Sequence, residues 1–469
     1  MSPNAPNKSS SEDDEEELQL PLNHPSDKQL PRRHLLTKIK TKTPRVLADK
    51  GCRVVNKEDY LYDEALEEFL HSLPKVELHV HLDGSFDHSI LHQHLQEVGP
   101  ACLPVQTTLP WDGSPFPVRH LVEHTHNAYP KFHSLCTCRG KRSLQEMIKC
   151  FQIFVPIVQG DLALLERLAF DFVKRQADQN VRYTEVRYSP HLLATGGSLS
   201  VSFAGSQPVV DARSVVDAVT RGLRRGQEQY KVRVNQILCC ITWRPDWADD
   251  VVEIANERRN DAPCAVVGVD VAAGEEHFDS SAFSHLHEPH VKALQRAKDL
   301  GLSITMHAGE VAAGENVLSA INTYHATRIG HGYRIAVALG SNTNDSVLLD
   351  ELKRRRIHFE VCPTSSVETG GWDYDETREK NWEEHPLVLM MMNGLNVGLN
   401  SDDPAVFDTS LTFQYRIAAT KMKLSYTDLV QSVRNSIDAS FACEDVKEEL
   451  REQLTLFSKQ HEQLLELPN

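Results

Sequence analysis

The sequence predicts an α/β protein built as a (β/α)8 TIM-type barrel, with a helical insertion after the first strand and a disordered N-terminal extension. Three observations predict it. Short β-branched runs alternate with longer helical patterns over most of the 469 residues, as parallel β/α construction requires. There are eight such runs. The unusual histidines and carboxylates collect at their carboxyl ends, the face on which barrels of this kind place their chemistry.

Residues 1–65 come first and are expected to be disordered. They begin with a Ser/acidic run, Ser9 to Glu17, and turn basic between Lys38 and Arg45. Such a segment buries too little apolar surface to offset its ordering entropy. A regulatory or partner-binding tail is the alternative. Residues 66–465 are then expected to form the catalytic domain.

The first strand is VELHVHLD, 76–83. Apolar and polar residues alternate there, so His79, His81 and Glu77 share one face while Val76, Leu78, Val80 and Leu82 share the other. Two imidazoles on one strand face can clamp one cation. The same H-x-H spacing recurs at His92/His94, His124/His126 and His285/His287, but within stretches that read as helix or loop. Side chains two apart on a helix do not face each other, so those pairs read as ordinary solvated or hydrogen-bonded histidines.

The surplus of the chain lies between strands one and two, roughly residues 84–180, and is a candidate lid over the active-site face. Within it Leu144, Met147, Ile148 and Phe151 fall at helical spacing; they line a pocket or form a plain amphipathic core face. The other strands are expected at 181–189, 234–243, 264–272, 303–309, 328–333, 357–363 and 396–403. Helices separate them, among them Leu162 to Asn180, Ser214 to Tyr230, Glu288 to Leu300 and Ser346 to Arg356.

Composition narrows the function. A formal charge of −16 argues against a polyanionic partner such as nucleic acid. A small neutral or cationic ligand fits better. The longest apolar candidate, LVLMMMNGLNVGL at 387–399, is broken by Asn and Gly and falls short of the ~20 residues that cross a bilayer. No basic start followed by an apolar segment is visible at the N-terminus, and ten cysteines without such a signal read as free thiols, so the cytoplasm is expected. A monomer is the default oligomeric state.

Four separate strand ends carry the chemistry: His79/His81/Asp83, His307-Ala-Gly-Glu310, His331-Gly-Tyr and Asp402-Asp403-Pro404. In a barrel these converge on one mouth. Buried charge is costly unless paired or bound to metal, so the convergence implies a metal site. The natural ion is zinc, one per chain, held by His79, His81, His307 and Asp402 with a position left for water. Imidazole and carboxylate donors also admit iron or cobalt. Glu310 is near enough to move a proton without being a ligand, and His331 is placed to orient the water and take its proton.

In order along the chain, VELHVHLDGS, EVRYSPHLL, MHAGE, RIGHGY, EVCPTSS and LNSDDP together resemble the adenosine deaminase family of zinc-dependent amidohydrolases. The resemblance covers about residues 73–465. It implies hydrolytic removal of the 6-amino group of adenosine and 2'-deoxyadenosine, giving inosine or deoxyinosine and ammonia. It also implies that Glu310 protonates N1, His331 steadies the attacking oxygen, Asp403 contacts N7 and Asp83 the ribose 5'-hydroxyl. The backbone near Gly274 would meet the N3 edge, although an extra alanine in VDVAAGEEHF leaves Gly274 and Ala273 as alternatives.

Several rivals are separable at this level. A nucleotide substrate such as AMP is disfavoured by Asp83, which would repel a 5'-phosphate. The H-x-E and P-C-x-x-C pattern of cytidine-type deaminases is absent. Hydrolases that bridge two metals through a modified lysine would need a lysine on strand four, and none is there. A silent adenosine-binding protein would not be expected to keep the full ligand and acid/base set. Asp402 and Asp403 pose one geometric difficulty, because neighbours on a strand point opposite ways. Both reach one site only if the chain turns there.

Overall fold

The structure is a computed structural model that describes residues 64–195, 209–275, 284–335, 346–372 and 380–466. The chain divides into two units. The first, Met1–Gly51, and the expected disordered extension as far as residue 63 lie outside the described residues; everything below belongs to the second, Cys52–Asn469.

Eight parallel strands stand side by side in chain order: β1 Lys75–His81, β2 Val181–Tyr188, β3 Arg233–Ile241, β4 Val266–Ala272, β5 Ser303–Ala308, β6 Arg328–His331, β7 His358–Val361 and β8 Asn396–Leu399. All eight coincide with the expected runs. Between the last strand and the first, a single parallel bridge pairs Val80 with Asp402. Backbone bonds from His81 N–H to the Asp402 carbonyl (2.8 Å) and from Asp402 N–H to the His79 carbonyl (3.1 Å) complete that seam. The Asn400 side-chain oxygen accepts from the N–H groups of Leu78 and His79, supplying the ladder that the short β8 does not.

β1, β3, β6, β7 and β8 each end two or more residues before the expected carboxyl end. His331 (φ 68°), which closes β6, and Asp402 (φ 64°), just past β8, both adopt left-handed backbone where each side chain turns into the mouth. The turn at Asp402 answers the difficulty of the neighbouring aspartates.

Helices lie outside the sheet as the sequence indicated: Leu162–Asp178, Ala212–Tyr230, Ser284–Asp299 and Ser346–Arg354. Caps set their starts. Asp161 accepts from Leu164 N–H (2.9 Å) and Asp211 from Ser214 N–H (2.8 Å), each satisfying an orphan donor of a first turn. The insertion after β1 is helical too, with His88–Val98, Val118–Glu123, Tyr129–Cys136 and Leu144–Val158 around a two-strand hairpin of Thr107–Thr108 and Pro115–Phe116. Of the other H-x-H pairs, His92 is buried against Tyr129 and Phe132, while His94 points away to Asp161. The nine cysteines among the described residues are all free.

Candidate active site

β1 delivers the first two donors. His79 is fully buried and His81 partly so, and their rings lie 5.4 Å apart. β5 adds His307 and β6 adds His331; the loop after β8 adds Asp402. Asp402 Oδ1 lies 3.1 Å from His79 Nε2 and 3.5 Å from His81 Nε2, and His81 Nε2 lies 3.2 Å from His307 Nε2. One donor atom from each of His79, His307, His331 and Asp402 falls within 4.8 Å of the others. The mouth therefore holds five candidate donors, with His331 as close to the group as the expected ligands.

Room for this crowding is made by glycine. A Cβ on Gly330 would come within 2.8 Å of the His79 ring, and one on Gly84 would collide with the Asp403 carboxylate. Glycine in R-I-G-H and L-D-G-S is thus a steric requirement.

Below the donors runs a buried charge network. Glu360 on β7 accepts from His79 Nδ1 (2.7 Å), and Asp270 on β4 takes His307 Nδ1 at 3.0 Å. Arg187 on β2 bridges both carboxylates, at 2.6 Å to Glu360 and 2.9 Å to Asp270. Arg328 pairs with Glu360 at 2.7 Å and with Glu185 at 2.5 Å. Burial alone would raise Glu360, but the Arg187 and Arg328 charges hold it well below the usual carboxylate range. An ionised acceptor on Nδ1 fixes that nitrogen as the donor, which leaves Nε2 of His79 facing Asp402 Oδ1 and Nε2 of His307 facing His81 Nε2. His79 Nε2 is buried, with the Asp402 carboxylate as its near neighbour. Imidazole lone pairs aimed at one another and at a carboxylate are a cation site by the chemistry of the donors, and the set suits zinc.

The same logic fixes His331. Tyr333 Oη donates to the Cys362 carbonyl (2.9 Å), so it accepts from His331 Nδ1 (3.0 Å). Nε2 of His331 then faces the mouth as an acceptor, 3.7 Å from Glu310 and 3.9 Å from Asp402. Burial holds this imidazole well below its ordinary range and therefore neutral.

Glu310 is placed by another carboxylate. Glu275, just past β4, accepts the backbone N–H groups of Gly309, Glu310 (2.8 Å), Val311 (3.1 Å) and Ala312 (3.3 Å), which fixes the turn after β5. Burial and then the Asp402 charge push the Glu310 carboxyl up to about 8, so it carries its proton at neutral pH. Asp403 is driven up likewise, by burial and then by Asp402. Asp402 itself is held well below its ordinary range: burial works the other way, but the His331 and His79 imidazoles beside it outweigh burial. Neighbouring carboxyls with opposite protonation are what an acid and a ligand need side by side.

These groups open into one cleft. Asp83, Asp403, Glu310 and His331 lie on its walls. Opposite them the insertion helix Leu144–Val158 contributes Leu144, Met147, Ile148, Phe151, Gln152 and Val155, so that stripe lines the cleft while its apolar members also pack into the main core. Ala272 and Ala273 line the cleft as well. Gly274, expected at the N3 edge, is not among the lining residues; the left-handed Ala273 (φ 64°) takes that wall, with its carbonyl held by Thr242.

The five candidate donors at the mouth are all named by the sequence motifs, but the groups that hold them are not. Asp270, Glu360 and Arg187 are charged residues in the middle of buried parallel strands, and that oddity was the available signal. Glu275 and Gln152 gave none.

A parallel barrel whose mouth sets histidines and an aspartate around a cation site, beside a protonated glutamate, defines a metal-dependent hydrolase. A family model described as adenosine deaminase matches residues 123–456. Adenosine deaminase of Xenopus tropicalis is 34% identical over 378 residues, covering 80% of this chain and 93% of its own length. That of Bos taurus is 33% identical over 377 residues, covering 80% and 92%. Among solved structures, Arabidopsis ADAL complexed with IMP superposes with a TM-score of 0.61 at 27% identity, covering 84% of this chain and 99% of that one. The chain belongs to the adenosine deaminase family, and its cofactor is zinc.

Proposed function

We propose that the protein removes the 6-amino group of adenosine and 2'-deoxyadenosine by hydrolysis, with His79, His81, His307 and Asp402 holding one zinc ion. Bound there, the ion supplies Lewis acidity and brings the pKa of a water to roughly 7. This chain's own residues do the rest. His331 Nε2, fixed as an acceptor, orients the attacking water and takes its proton. Glu310, protonated at neutral pH, donates to N1 and makes C6 electrophilic. Protonated Asp403 donates to N7, Asp83 binds the ribose 5'-hydroxyl, and the backbone at Ala273–Gly274 meets the N3 edge. A domain spanning residues 66–465 carries this activity without residues 1–65.

The observation that carries the choice of substrate is the lining of the cleft. Among the described residues no lysine or arginine faces it, and a carboxyl, Asp83, does. A 5'-phosphate would find no lysine or arginine among those residues. The nucleotide in the ADAL complex makes AMP the competing reading, so the test sets the two side by side. Adenosine and 2'-deoxyadenosine should lose absorbance on adding enzyme, with AMP at least ~100-fold lower in kcat/KM and adenine and cytidine inert. AMP turned over as well as adenosine would reverse the assignment. Activity that disappears on deleting residues 1–60 would reject the proposed domain limits.

A further inference from the structure

The insertion helix presents Leu144, Met147, Ile148, Phe151, Gln152 and Val155 to the cleft, a single face at helical spacing. Five are apolar. Gln152 alone is not, and it is only 4% exposed. Its Oε1 is buried and has no hydrogen-bond partner among the described residues. Leaving a buried amide oxygen unpaired is expensive, and a sixth apolar residue would have removed the cost. The backbone beneath it is also opened: Pro156 lies four residues on and has no N–H to offer the Gln152 carbonyl.

Two further oxygens in the same cleft share this state. Asp83 Oδ1 and Ser189 Oγ are buried, line the cleft and have no hydrogen-bond partner among the described residues. The helix that carries Gln152 packs on both of their neighbourhoods, the turn Asp83–Ser85 and the short helix Pro190–Leu193. Two of the three oxygens, an amide and a carboxyl, call for donors. A phosphate brings acceptors alone, and a purine edge brings mainly ring nitrogens. Sugar hydroxyls bring donors.

We infer that Gln152 is a specificity-determining residue, whose side-chain oxygen accepts a hydrogen bond from a sugar hydroxyl of the nucleoside at the Asp83 end of the cleft. The inference rests on the nucleoside reading of the site and adds to it the group that recognises the sugar from the lid side. It also explains how the insertion, an apolar wall otherwise, distinguishes a nucleoside from its free base.

The test compares the wild type with Gln152→Leu and, as a second replacement of similar volume, Gln152→Met. Each is assayed on adenosine and on its 2'-, 3'- and 5'-deoxy analogues. The variants should lose about 10-fold in kcat/KM on adenosine, carried mainly by KM, and less than about 2-fold on the one analogue lacking the recognised hydroxyl. Their melting temperatures should hold or rise, since an unpaired polar atom leaves the interior. A uniform factor across all four substrates, whether large or equal to one, overturns the assignment of Gln152 while leaving the deaminase reading standing. A wild-type enzyme inactive on all four nucleosides overturns the reading and the inference together.

Discussion

The two walls of the cleft are built on opposite terms. On the barrel side the polar groups are held by others: His79 by Glu360, His307 by Asp270, both carboxylates by Arg187, His331 by Tyr333, and the Glu310 turn by Glu275. On the insertion side the wall is apolar and its one polar oxygen is unpaired. Chemistry needs geometry fixed to fractions of an ångström, and interlocked charges on strand ends supply it. Recognition needs groups still free to bond, and a helix laid across the mouth supplies those.

If that division is real, substitutions on the two sides should fail differently. The largest effect belongs to His307→Ala, which should lose bound zinc and turnover together; metal analysis beside an activity assay checks both, and full turnover with no stoichiometric metal would break the contrast. Next comes Glu310→Gln, expected to keep zinc while kcat falls by about 10²–10⁴-fold, the usual worth of a positioned general acid. Near-normal kcat in that variant would remove Glu310 from the chemistry. Glu360→Gln touches no substrate, yet should cost about 10–100-fold in metal affinity or activity by releasing the His79 ring; competition with a chelator measures it. Smallest is Phe151→Ala on the insertion side, where lost apolar contact of roughly 1.5 kcal/mol should raise KM about tenfold with kcat nearly unchanged. A fall in kcat instead would mean that the lid shapes the reacting groups as well as the binding.

Much of the barrel side was legible in the sequence because its signals are local. Alternation around His79 and His81 marks a strand and a face, and the β-branched runs mark the other seven strands. The donors themselves stand at the ends of those runs. What was not legible depends on partners far away in the chain. Glu360 is 281 residues from His79, so nothing near either residue announces the pair. The left-handed turn at Asp402 was needed to reconcile two neighbouring aspartates, but Asp-Asp-Pro alone does not say which of them turns. Gln152 reads as one more polar position on an amphipathic helix until the cleft shows it facing inward. The extra alanine before Gly274 left the N3 contact undecided, and only the structure shows that Ala273 rather than Gly274 lines the cleft.

The seam between β1 and β8 has a consequence for how the protein matures. The strands that close the ring are separated by more than three hundred residues, and the donors His79, His81 and Asp402 sit on either side of their single bridge. The donor set is complete only when the first and last strands of the ring have met, so an ion held there would fasten the seam once the barrel has closed.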